Sequence, residues 1–515
     1  MQNLAIFWGT ILLSPLFLAS TSTCAAATTL HLSRATLVDK IRGGWAGQMI
    51  GVSYGAPTEF RSNAKINEAE LKWQPVMVSN SIEQDDLYVE MTLSRVLDTV
   101  GLNASTAQFG DMFKDSKYHL WHANAAARRV LNQGIKSPWS GHPKYNVHAN
   151  DIDFQIEADF IGLMCPGLPR VSNQLCDRVG RVMNYGDGLY GGMFVCGCYA
   201  AAFFETDPRQ IVEAGLACIP AKSGYAMVIR DLLDWSAQQP NDWRAVWRLM
   251  EDKWDKDDPC PDGALIPFNI DAKLNGAYIA FGLLFGQGDL AKTLEISTRC
   301  GQDSDCNPSS AAGILGVVLG YANIPEEFKG GIAQLADKKF DFTDYSFNSI
   351  CESTVNRALT LIKKNGGKVT DQEITIPKQT PKAPKLEQWD PGVPYARLTA
   401  KDPAWSWKGG WTENKGAMIA TTAGNEATLT FNGVAIVLMG ALSQDGGRVQ
   451  VYVDGRRAAV ADAYIVERTH DNALWHTYGL KPGQHTIRVV TLAETDPRSK
   501  GRRVTLEQAV VYRPR

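Results

Sequence analysis

The stretch that decides the fold runs from Lys40 to Gly55 and reads KIRGGWAGQMIGVSYG. Its apolar residues recur at helical spacing, and its glycines fall four residues apart on a single helix face: Gly43, Gly47, Gly51 and Gly55. Each glycine inside a helix costs about 1 kcal/mol relative to alanine. Four in register make sense only if another element packs very close to this face, so the sequence predicts a buried helix with a close neighbour.

Outward from this helix, the same periodicity continues over residues 34–365 and predicts an all-α domain of ten or more helices. Strand-like alternation is scarce in this part of the chain. The later predicted helices cover 86–99, 119–132, 153–163, 191–204, 208–218, 223–236, 242–253, 273–286, 289–298 and 308–321.

From Gly366 the composition changes. Five prolines between 377 and 394 lie among polar residues, which predicts an extended linker over 366–396. Short alternating runs follow, such as 427–431, 435–439 and 448–453, and Asp454-Gly455 is a strong hairpin turn. Residues 397–515 are therefore predicted to form a β-sandwich of jelly-roll type, so that the whole chain is multi-domain.

The bulk charge argues against nucleic acid as a partner. The chain has 515 residues, and 52 lysines and arginines nearly balance 55 aspartates and glutamates, for a net charge of -3. A near-neutral protein does not attract polyanions by bulk charge. No stretch after the amino-terminal region is long and apolar enough to predict a membrane span, so no stable membrane insertion is expected.

The amino terminus has the pattern of an export signal. Ala5 to Ala19 is an apolar run too short to span a bilayer comfortably, and Ala25-Ala26-Ala27 offers a small-residue cleavage site. Cys24 would fit a lipid anchor, but Thr21-Ser22-Thr23 is a poor match to the sequence that precedes such an anchor. Residues 1–27 are therefore predicted to be a signal peptide, and the protein to be secreted or periplasmic.

Ten cysteines are present, of which Cys24 falls within the predicted signal. Cys165 and Cys176 flank a loop containing proline and glycine and are the best candidates for a disulfide, although spacing alone cannot fix connectivity. Cys196 and Cys198 lie on an apolar helical run and are predicted to be buried thiols. Because the sequence has no CxxC pair, a structural zinc site is not expected.

Two acidic clusters carry the functional prediction. Gln84-Asp85-Asp86 opens one helical run, and Gly301-Gln302-Asp303-Ser304-Asp305-Cys306-Asn307-Pro308 opens another. Aspartates at a helix start are stabilised by the helix dipole by about 0.3–1 kcal/mol each, so capping would explain either cluster alone. If the two clusters converge, a divalent cation is the simplest way to offset their repulsion, and carboxylates suit Mg²⁺, Mn²⁺ or Ca²⁺.

These residues resemble the ADP-ribosylglycohydrolase family, over roughly residues 36–325. The glycine-rich helix leads to a loop glutamate, Glu59, and Gln84-Asp85-Asp86 is similar to the Thr-Asp-Asp signature of that family. The segment from Asn150 to Asp153 occupies the place of the family's substrate segment. The stretch 301–306 is similar to the Gly-Gly-Asp-Thr-Asp-Thr motif.

The resemblance implies an all-α glycosidase that uses one or two Mg²⁺ ions to bind ribose hydroxyls and to hold a water near the anomeric carbon. Its implied metal ligands are Gln84, Asp85, Asp86, Asp303, Asp305 and Cys306. Its implied catalytic residues are Glu59, Asp85 and Asp303, with Glu59 orienting or deprotonating the water or engaging the sugar. Its implied substrate contacts are Asn150, Asp151, Asp153 and Gln155.

The sequence departs from the family pattern in three places. Gln84 replaces a threonine ligand, although an amide oxygen is an acceptable donor to a hard metal. Cys306 replaces a second threonine, and a thiol is a poor Mg²⁺ ligand. Asp151, Asp153 and Glu157 stand in the central segment where the family has small residues. Asp153 and Glu157, four residues apart, repel each other unless they are protonated, paired or metal-bound. Either they form a solvated helix face or they belong to a remodelled sugar pocket.

The C-terminal part resembles the galactose-binding-like and carbohydrate-binding sandwiches that are appended to secreted glycosidases. Aromatic side chains could stack on sugar rings, or could instead fill the core of the sandwich. The candidates are Trp405, Trp407, Trp411, Tyr464, Trp475 and His476.

Three functions fit the sequence. The first is a secreted metal-dependent glycosidase that cleaves a ribosyl or related furanosyl bond in a glycan or ribosylated small molecule. The second, which Gln84 and Cys306 favour, is a catalytically inactive carbohydrate-binding protein on the same scaffold. The third is a di-metal phosphoesterase, against which the lack of a histidine-rich ligand set argues.

Overall fold

The computed structural model describes residue 1 and residues 29–256, 258–466 and 469–515. The predicted signal peptide therefore lies almost entirely outside the described residues, and so does Cys24. Within the described residues, the amino-terminal part is helical and the carboxyl-terminal part is built of strands, which confirms the predicted fold class. None of the described helices is long and apolar enough to cross a lipid bilayer.

The described α-helices extend across the whole predicted helical domain. Their bounds are α1 Arg34–Gly55, α2 Asp85–Thr99, α3 Thr106–Lys114, α4 His122–Asn132, α5 Asp153–Ile156, α6 Asp159–Leu163, α7 Pro169–Gly180, α8 Asp187–Ala202, α9 Pro208–Leu216, α10 Gly224–Gln238, α11 Trp243–Trp254, α12 Ala272–Gly286, α13 Leu290–Arg299, α14 Cys306–Leu319, α15 Glu326–Lys329 and α16 Phe347–Lys364. Every predicted helical run has a counterpart here. The long helices that the periodicity did not identify are α3, α7 and α16.

The glycine face of α1 packs directly against the backbone of α14. A β-carbon added at Gly43 would lie 2.2 Å from the Gly316 carbonyl oxygen, and one at Gly51 would lie 2.2 Å from that of Pro308. At Gly55 the distance to the Ser304 carbonyl oxygen would be 2.0 Å. The two helices therefore run antiparallel in backbone contact, which confirms the predicted close neighbour. This contact places the end of α1 beside the start of α14.

Three helices form the centre of the helical domain. Nearly every residue of α8, α12 and α14 is buried, so these helices are apolar on all sides rather than on one stripe. The buried position of α14 explains why its amino terminus, which carries the second acidic cluster, lies deep within the domain.

The strands are β1 Thr29–Ser33, β2 Lys368–Val369, β3 Glu373–Pro377, β4 Val393–Thr399, β5 Trp405–Lys408, β6 Thr412–Asn414, β7 Ala417–Ala420, β8 Glu426–Gly433, β9 Ala435–Leu442, β10 Arg448–Val453, β11 Arg456–Asp462, β12 Thr469–Thr477, β13 Gly483–Thr491, β14 Val504–Leu506 and β15 Gln508–Arg513. An antiparallel sheet ordered β11-β10-β13-β8-β5 faces one ordered β12-β9-β15-β4. Leu429 and Val451 of the first sheet share one apolar core with Leu438 and Val511 of the second. The predicted sandwich is thus confirmed.

The proline-rich segment packs against the helical domain. β3 pairs with β1 and β2 in a small antiparallel sheet beside the helical domain. Further along, the Arg170 side chain donates to the Thr380 carbonyl (2.7 Å), and Arg181 forms an ion pair with Glu387 (2.7 Å). These contacts hold residues 368–387 against the helices, and so fix where the sandwich begins.

The sandwich docks on the loop between α11 and α12. Val437 and Met439 of β9 pack in one apolar cluster with Val147 and Ala264 of the helical domain. The Tyr512 hydroxyl donates to the Pro259 carbonyl (2.9 Å). These contacts position the loop of residues 258–271, which reaches the candidate site.

The expected disulfide between Cys165 and Cys176 is wrong, because all nine cysteines from Cys165 to Cys351 are free and buried. Helix α7 turns Cys176 toward α8, where its thiol lies 3.3 Å from that of Cys196. The prediction that Cys196 and Cys198 are buried thiols is confirmed.

The tryptophans at the start of the sandwich mostly serve its packing. Trp405 is buried and stacks on Trp407, with ring centroids 5.1 Å apart, and Trp407 meets the ring of Trp411 at 5.0 Å. Trp475 also packs against the sandwich core. His476 instead faces the helical domain, where its Nε2 lies 2.8 Å from the Pro143 carbonyl oxygen.

Candidate metal and active site

The two acidic helix starts meet in the structure. Asp85 and Asp86 occupy the first turn of α2, and Asp305 is the N-cap residue of α14. The Cys306 thiol at the start of α14 donates to Oδ2 of Asp86 (3.2 Å), which joins the two clusters directly. One ligating atom from each of Asp303, Asp305 and Cys306 lies within 4.8 Å of the others. Residues more than two hundred positions apart thus form one acidic centre.

A turn with left-handed backbone sets the position of Asp303 and Asp305. Gly301 and Gln302 both have positive φ angles, 83° and 55°. A β-carbon on Gly301 would lie 2.1 Å from the Ser62 carbonyl oxygen, so only glycine fits there. The Gln302 amide oxygen accepts a hydrogen bond from the backbone of Asn269 (2.8 Å). The acidic turn is thereby fixed against two separate loops.

Glu59 follows directly from the end of α1. The Phe60 backbone N–H donates to the Gln302 carbonyl (3.0 Å), and the hydroxyls of Thr58 and Ser304 lie 2.8 Å apart. The loop that carries Glu59 is therefore bonded on both sides to the turn that carries Asp303 and Asp305. Glu59 itself remains exposed at the mouth of the acidic centre.

Several carboxylate oxygens in this centre are buried without a hydrogen-bond partner among the described residues. They are Oδ1 of Asp86, Oδ1 of Asp303 and Oδ1 of Asp305. A buried carboxylate costs several kcal/mol unless it is paired, hydrogen-bonded or bound to a metal. Unpartnered oxygens from three converging carboxylates fit a hard divalent cation.

The pKa shifts of the acidic side chains also favour a bound cation. Burial, followed by the charges of Asp85 and Asp305, raises the pKa of Asp86 well above its usual range. Burial and then the charge of Asp305 raise the pKa of Asp85 to about 6. Partial burial, followed by Asp305 and Asp85, raises the pKa of Glu59 to about 8. Every carboxylate is thus penalised for its charge in the protein alone, and a bound cation would remove that penalty.

Gln84 lies at the entrance of α2. It is the N-cap residue, and its amide nitrogen donates to Oδ1 of Asn80 (2.9 Å). That contact leaves the amide oxygen as the atom available to a metal. Its role as a ligand stays a prediction.

The residues of the central segment, from Asn150 to Glu157, lie in different environments. Asp153 is buried, and its carboxylate accepts hydrogen bonds from the backbone of Ala123 (3.2 Å) and Asn124 (2.8 Å), at the start of α4. Glu157 is also buried and accepts from the Asn124 side chain. A solvated helix face is therefore wrong for this pair, because α4 covers it.

Two other residues of this segment have contacts outside the acidic centre. The Gln155 amide is completely buried and hydrogen-bonds the Tyr225 hydroxyl (2.8 Å). Asn150 lines a separate cavity of about 520 Å³, together with Lys273 and Glu387. The structure does not bring Asn150 or Gln155 to the carboxylates, and their substrate contacts stay predictions.

A second cluster of ligating side chains, which the sequence analysis missed, surrounds Asp151. Oδ2 of Asp151 lies 2.8 Å from Nδ1 of His148, 3.2 Å from Sγ of Cys260 and 3.8 Å from Nδ1 of His122. Asp262 approaches the same His122 nitrogen at 3.2 Å. Asp151 and Cys260 are almost wholly buried. The only sequence signal was weak: the chain has just eight histidines, and His148 and Asp151 are three residues apart.

Two further buried acids adjoin the centre. Glu90, one turn beyond Asp86 on α2, accepts from the Phe160 backbone (2.9 Å). Asp159 accepts from the Tyr199 hydroxyl (2.6 Å) and from Ser310 of α14 (3.2 Å). These bonds tie α2 and α14 to α6 and support the orientation of the acidic centre.

Both parts of the chain are similar to known structures. Among solved structures, the helical part is similar to an ADP-ribosylglycohydrolase-related protein complex, at 12% identity and a TM-score of 0.44, covering 63% of this chain and 99% of that one. The carboxyl-terminal part is similar to the CBM36-1 domain of a multidomain xylanase from the hindgut metagenome of Trinervitermes trinervoides, at 13% identity and a TM-score of 0.18, covering 22% of this chain and 94% of that one.

A family two carbohydrate esterase from Cellvibrio japonicus is also similar, at 14% identity and a TM-score of 0.18, covering 22% of this chain and 32% of that one. Comparison with curated proteins gives no match. The family model for ADP-ribosylglycohydrolase matches residues 33–360, which is more than half of the chain and includes both acidic helix starts. The chain therefore belongs to the ADP-ribosylglycohydrolase family.

Proposed function

We propose that this protein is a secreted, metal-dependent glycoside hydrolase that cleaves a ribosyl or related furanosyl bond, N- or O-glycosidic. Membership of the family suggests a hydrolase of glycosyl bonds. The observation that carries the proposal is the convergence of Asp85, Asp86, Asp303 and Asp305 beside the exposed Glu59.

Asp85, Asp86, Asp303 and Asp305 would hold Mg²⁺, with Mn²⁺ or Ca²⁺ as substitutes and with Gln84 as a neutral oxygen donor. When bound, the ion would supply positive charge that orients sugar hydroxyls and water and offsets the developing negative charge. The Cys306 thiol donates its hydrogen bond to the Asp86 carboxylate. It therefore supports the position of that carboxylate without having to be a magnesium ligand itself.

We assign proton transfer to Glu59, which lies at the mouth of the site. Its carboxylate is exposed, whereas Asp303 and Asp305 are buried, so a sugar bound over the centre would contact Glu59 from the solvent side. A raised pKa keeps a carboxyl group able to give or take a proton near neutral pH. A carboxylate in this role contributes about 10²–10⁴ to the rate.

The substrate class rests on three supports. The family resemblance favours a ribosyl or similar furanosyl ring. The predicted export signal favours a glycan or nucleoside-like compound outside the cytoplasm over modified intracellular proteins. The appended sandwich resembles carbohydrate-binding domains, which favours a carbohydrate partner over a nucleic acid.

The test is release of reducing sugar from a panel of furanosides, with and without Mg²⁺. Asp303→Asn and Glu59→Gln should each lower kcat/KM by about 10²-fold or more, because the first removes a charged metal ligand and the second removes the group that transfers the proton. Asp289→Asn is the matched control, because Asp289 is an N-cap aspartate of α13 that accepts from the Lys292 backbone (3.0 Å) and Asn caps equally well.

Turnover that is unchanged in Asp303→Asn, or unchanged after EDTA treatment, would contradict the metal mechanism. The inactive-scaffold alternative makes the opposite prediction. It requires sugar binding that survives both EDTA and the substitution, with no turnover on any furanoside. The Cys306 thiol in place of the family's threonine is the observation that favours that alternative.

A further inference from the structure

We propose that His122, His148, Asp151 and Cys260 form a second metal site, separate from the acidic centre and suited to one zinc-class divalent ion. The four side chains come from three parts of the chain: the start of α4, the turn before α5 and the loop between α11 and α12. One ligating atom from each lies within 4.8 Å of all the others. The proposal is independent of the glycosidase function.

The distances match the edges of a tetrahedron of zinc ligands. Bonds of about 2.0 Å to nitrogen or oxygen and about 2.3 Å to sulfur put neighbouring ligand atoms roughly 3.3–3.6 Å apart. Here Sγ of Cys260 lies 3.5 Å from Nδ1 of His148 and 3.2 Å from Oδ2 of Asp151. Nδ1 of His122 lies 3.8 Å from the same carboxylate oxygen. Oδ2 of Asp151 and Nδ1 of His148 lie 2.8 Å apart, so this pair would have to separate by about 0.5 Å, and His122 would have to move closer, for the four atoms to surround one ion.

The donor types select the ion. Imidazole nitrogen and thiolate sulfur favour zinc and related transition metals, whereas Mg²⁺ and Ca²⁺ prefer oxygen ligands. The acidic centre has an almost all-oxygen ligand set, so the two clusters would bind different metals. A cysteine and an aspartate would also balance the two positive charges of the ion.

Two further observations support a bound ion. Nδ1 of His122 is buried and makes no hydrogen bond of acceptable geometry with any described residue, although Asp262 lies 3.2 Å away. The backbone of His122 is left-handed, with φ of 43°, a conformation that is uncommon outside glycine and is found at functional sites. A cavity of about 280 Å³, lined by His122, His148 and Asp262, gives an ion a path to the site.

The site would act as a clamp on the loop of residues 258–271. That loop carries Cys260 and Asp262 and is held from the other side by the sandwich, through Arg397 and Tyr512. A metal bonded to Cys260 would join the loop to α4 and to the turn of His148 and Asp151. Phe268 of the same loop packs against Phe60, next to Glu59, with the ring centroids 4.9 Å apart and the ring planes tilted by 47°. The clamp would therefore also steady one wall of the candidate active site.

The test replaces zinc by cobalt in the full-length protein. After chelation and addition of one equivalent of Co²⁺, the wild type should show a sulfur-to-cobalt charge-transfer band and the strong visible bands of four-coordinate Co²⁺. Cys260→Ser should abolish the charge-transfer band and weaken Zn²⁺ binding by more than about 100-fold, since loss of even an outer-shell partner costs 10–100-fold.

Cys306→Ser is the matched control, because Cys306 is the other buried cysteine beside carboxylates. It should leave the band intact. A band that survives in Cys260→Ser, or that is lost in Cys306→Ser, would overturn the assignment. X-ray absorption at the zinc edge of the wild type tests the site without any variant: one sulfur near 2.3 Å with nitrogen or oxygen neighbours near 2.0 Å supports it, and a shell of nitrogen and oxygen alone overturns it.

Discussion

Replacing Gly55 with alanine tests how the helix contact builds the acidic centre. Gly55 ends α1 with ordinary right-handed backbone (φ -81°), so alanine introduces no strain in the local conformation. Its β-carbon, however, would lie 2.0 Å from the Ser304 carbonyl oxygen and 2.4 Å from Cα of Asp305. The clash is with backbone, which cannot rotate away as a flexible side chain can.

The expected size of the effect follows from these distances. An ordinary van der Waals contact begins near 3.4 Å, so α1 and the turn before α14 must separate by about 1.4 Å. Metal ligands must be held to within about 0.5 Å for productive geometry. We therefore expect Mg²⁺ affinity to fall by roughly 10–100-fold, the usual effect of disturbing the support of a metal ligand. Overpacking costs about 1–3 kcal/mol in stability.

Gly43→Ala provides a matched control on the same helix pair. Its β-carbon would lie 2.2 Å from the Gly316 carbonyl oxygen, a clash almost equal to that at Gly55. Gly43 is three turns away from the acidic centre along α1. This variant should lose a similar 1–3 kcal/mol of stability, while Mg²⁺ affinity changes by less than about threefold.

The assay is thermal unfolding over a series of Mg²⁺ concentrations. A ligand that binds only the folded state raises the unfolding temperature according to its concentration relative to Kd, so the titration yields stability and affinity together. Wild-type Mg²⁺ affinity in Gly55→Ala would refute the reasoning. An equal loss of Mg²⁺ affinity in Gly43→Ala would also refute it, because the effect would then be general destabilisation.

Three further predictions concern the surroundings of the site. Arg397→Ala should speed proteolysis of the loop of residues 258–271 while the sandwich stays folded, because the guanidinium donates to three loop carbonyls (2.5–2.6 Å). Equal protection of the loop would contradict this. Burial lowers the pKa of His476 to about 4 in the folded protein, against about 6.5 in the unfolded chain. The neutral histidine therefore contributes at most roughly 3 kcal/mol of stability above pH 6.5, and this contribution is lost as the pH falls toward 4. Chemical denaturation across this range should show a shallower decline in His476→Gln, and an identical decline would rule the histidine out. Asp153→Ala should cost about 1–2 kcal/mol through loss of the acceptor for the start of α4, and Asp153→Asn should recover part of it; equal unfolding free energies for all three proteins would refute the capping role.

The sequence by itself determined the two-part architecture, because helical and alternating periodicities are local properties of the chain. The glycine face of α1 also predicted a close neighbour, since glycine is costly in a helix unless a backbone lies against it. The acidic starts of α2 and α14 could also be recognised in the sequence, because each is a short contiguous motif.

The identity of the neighbour, and hence the meeting of the two acidic starts, is a property of the tertiary structure. Periodicity says which face of α1 is buried but not that α14 covers it. The disulfide prediction failed in the same way: Cys165 and Cys176 are close in sequence, but α7 turns Cys176 toward Cys196. Closeness in the sequence does not determine the direction in which a side chain points.

Only the tertiary structure assembled the cluster of His122, His148, Asp151 and Cys260. Their long and irregular spacing matches no metal-binding motif. Two of the three segments that carry them are a turn and a loop, and both contact the sandwich. A local pattern can specify a helix and the charge at its end. Which distant side chains share one small volume is decided by the packing of the whole molecule.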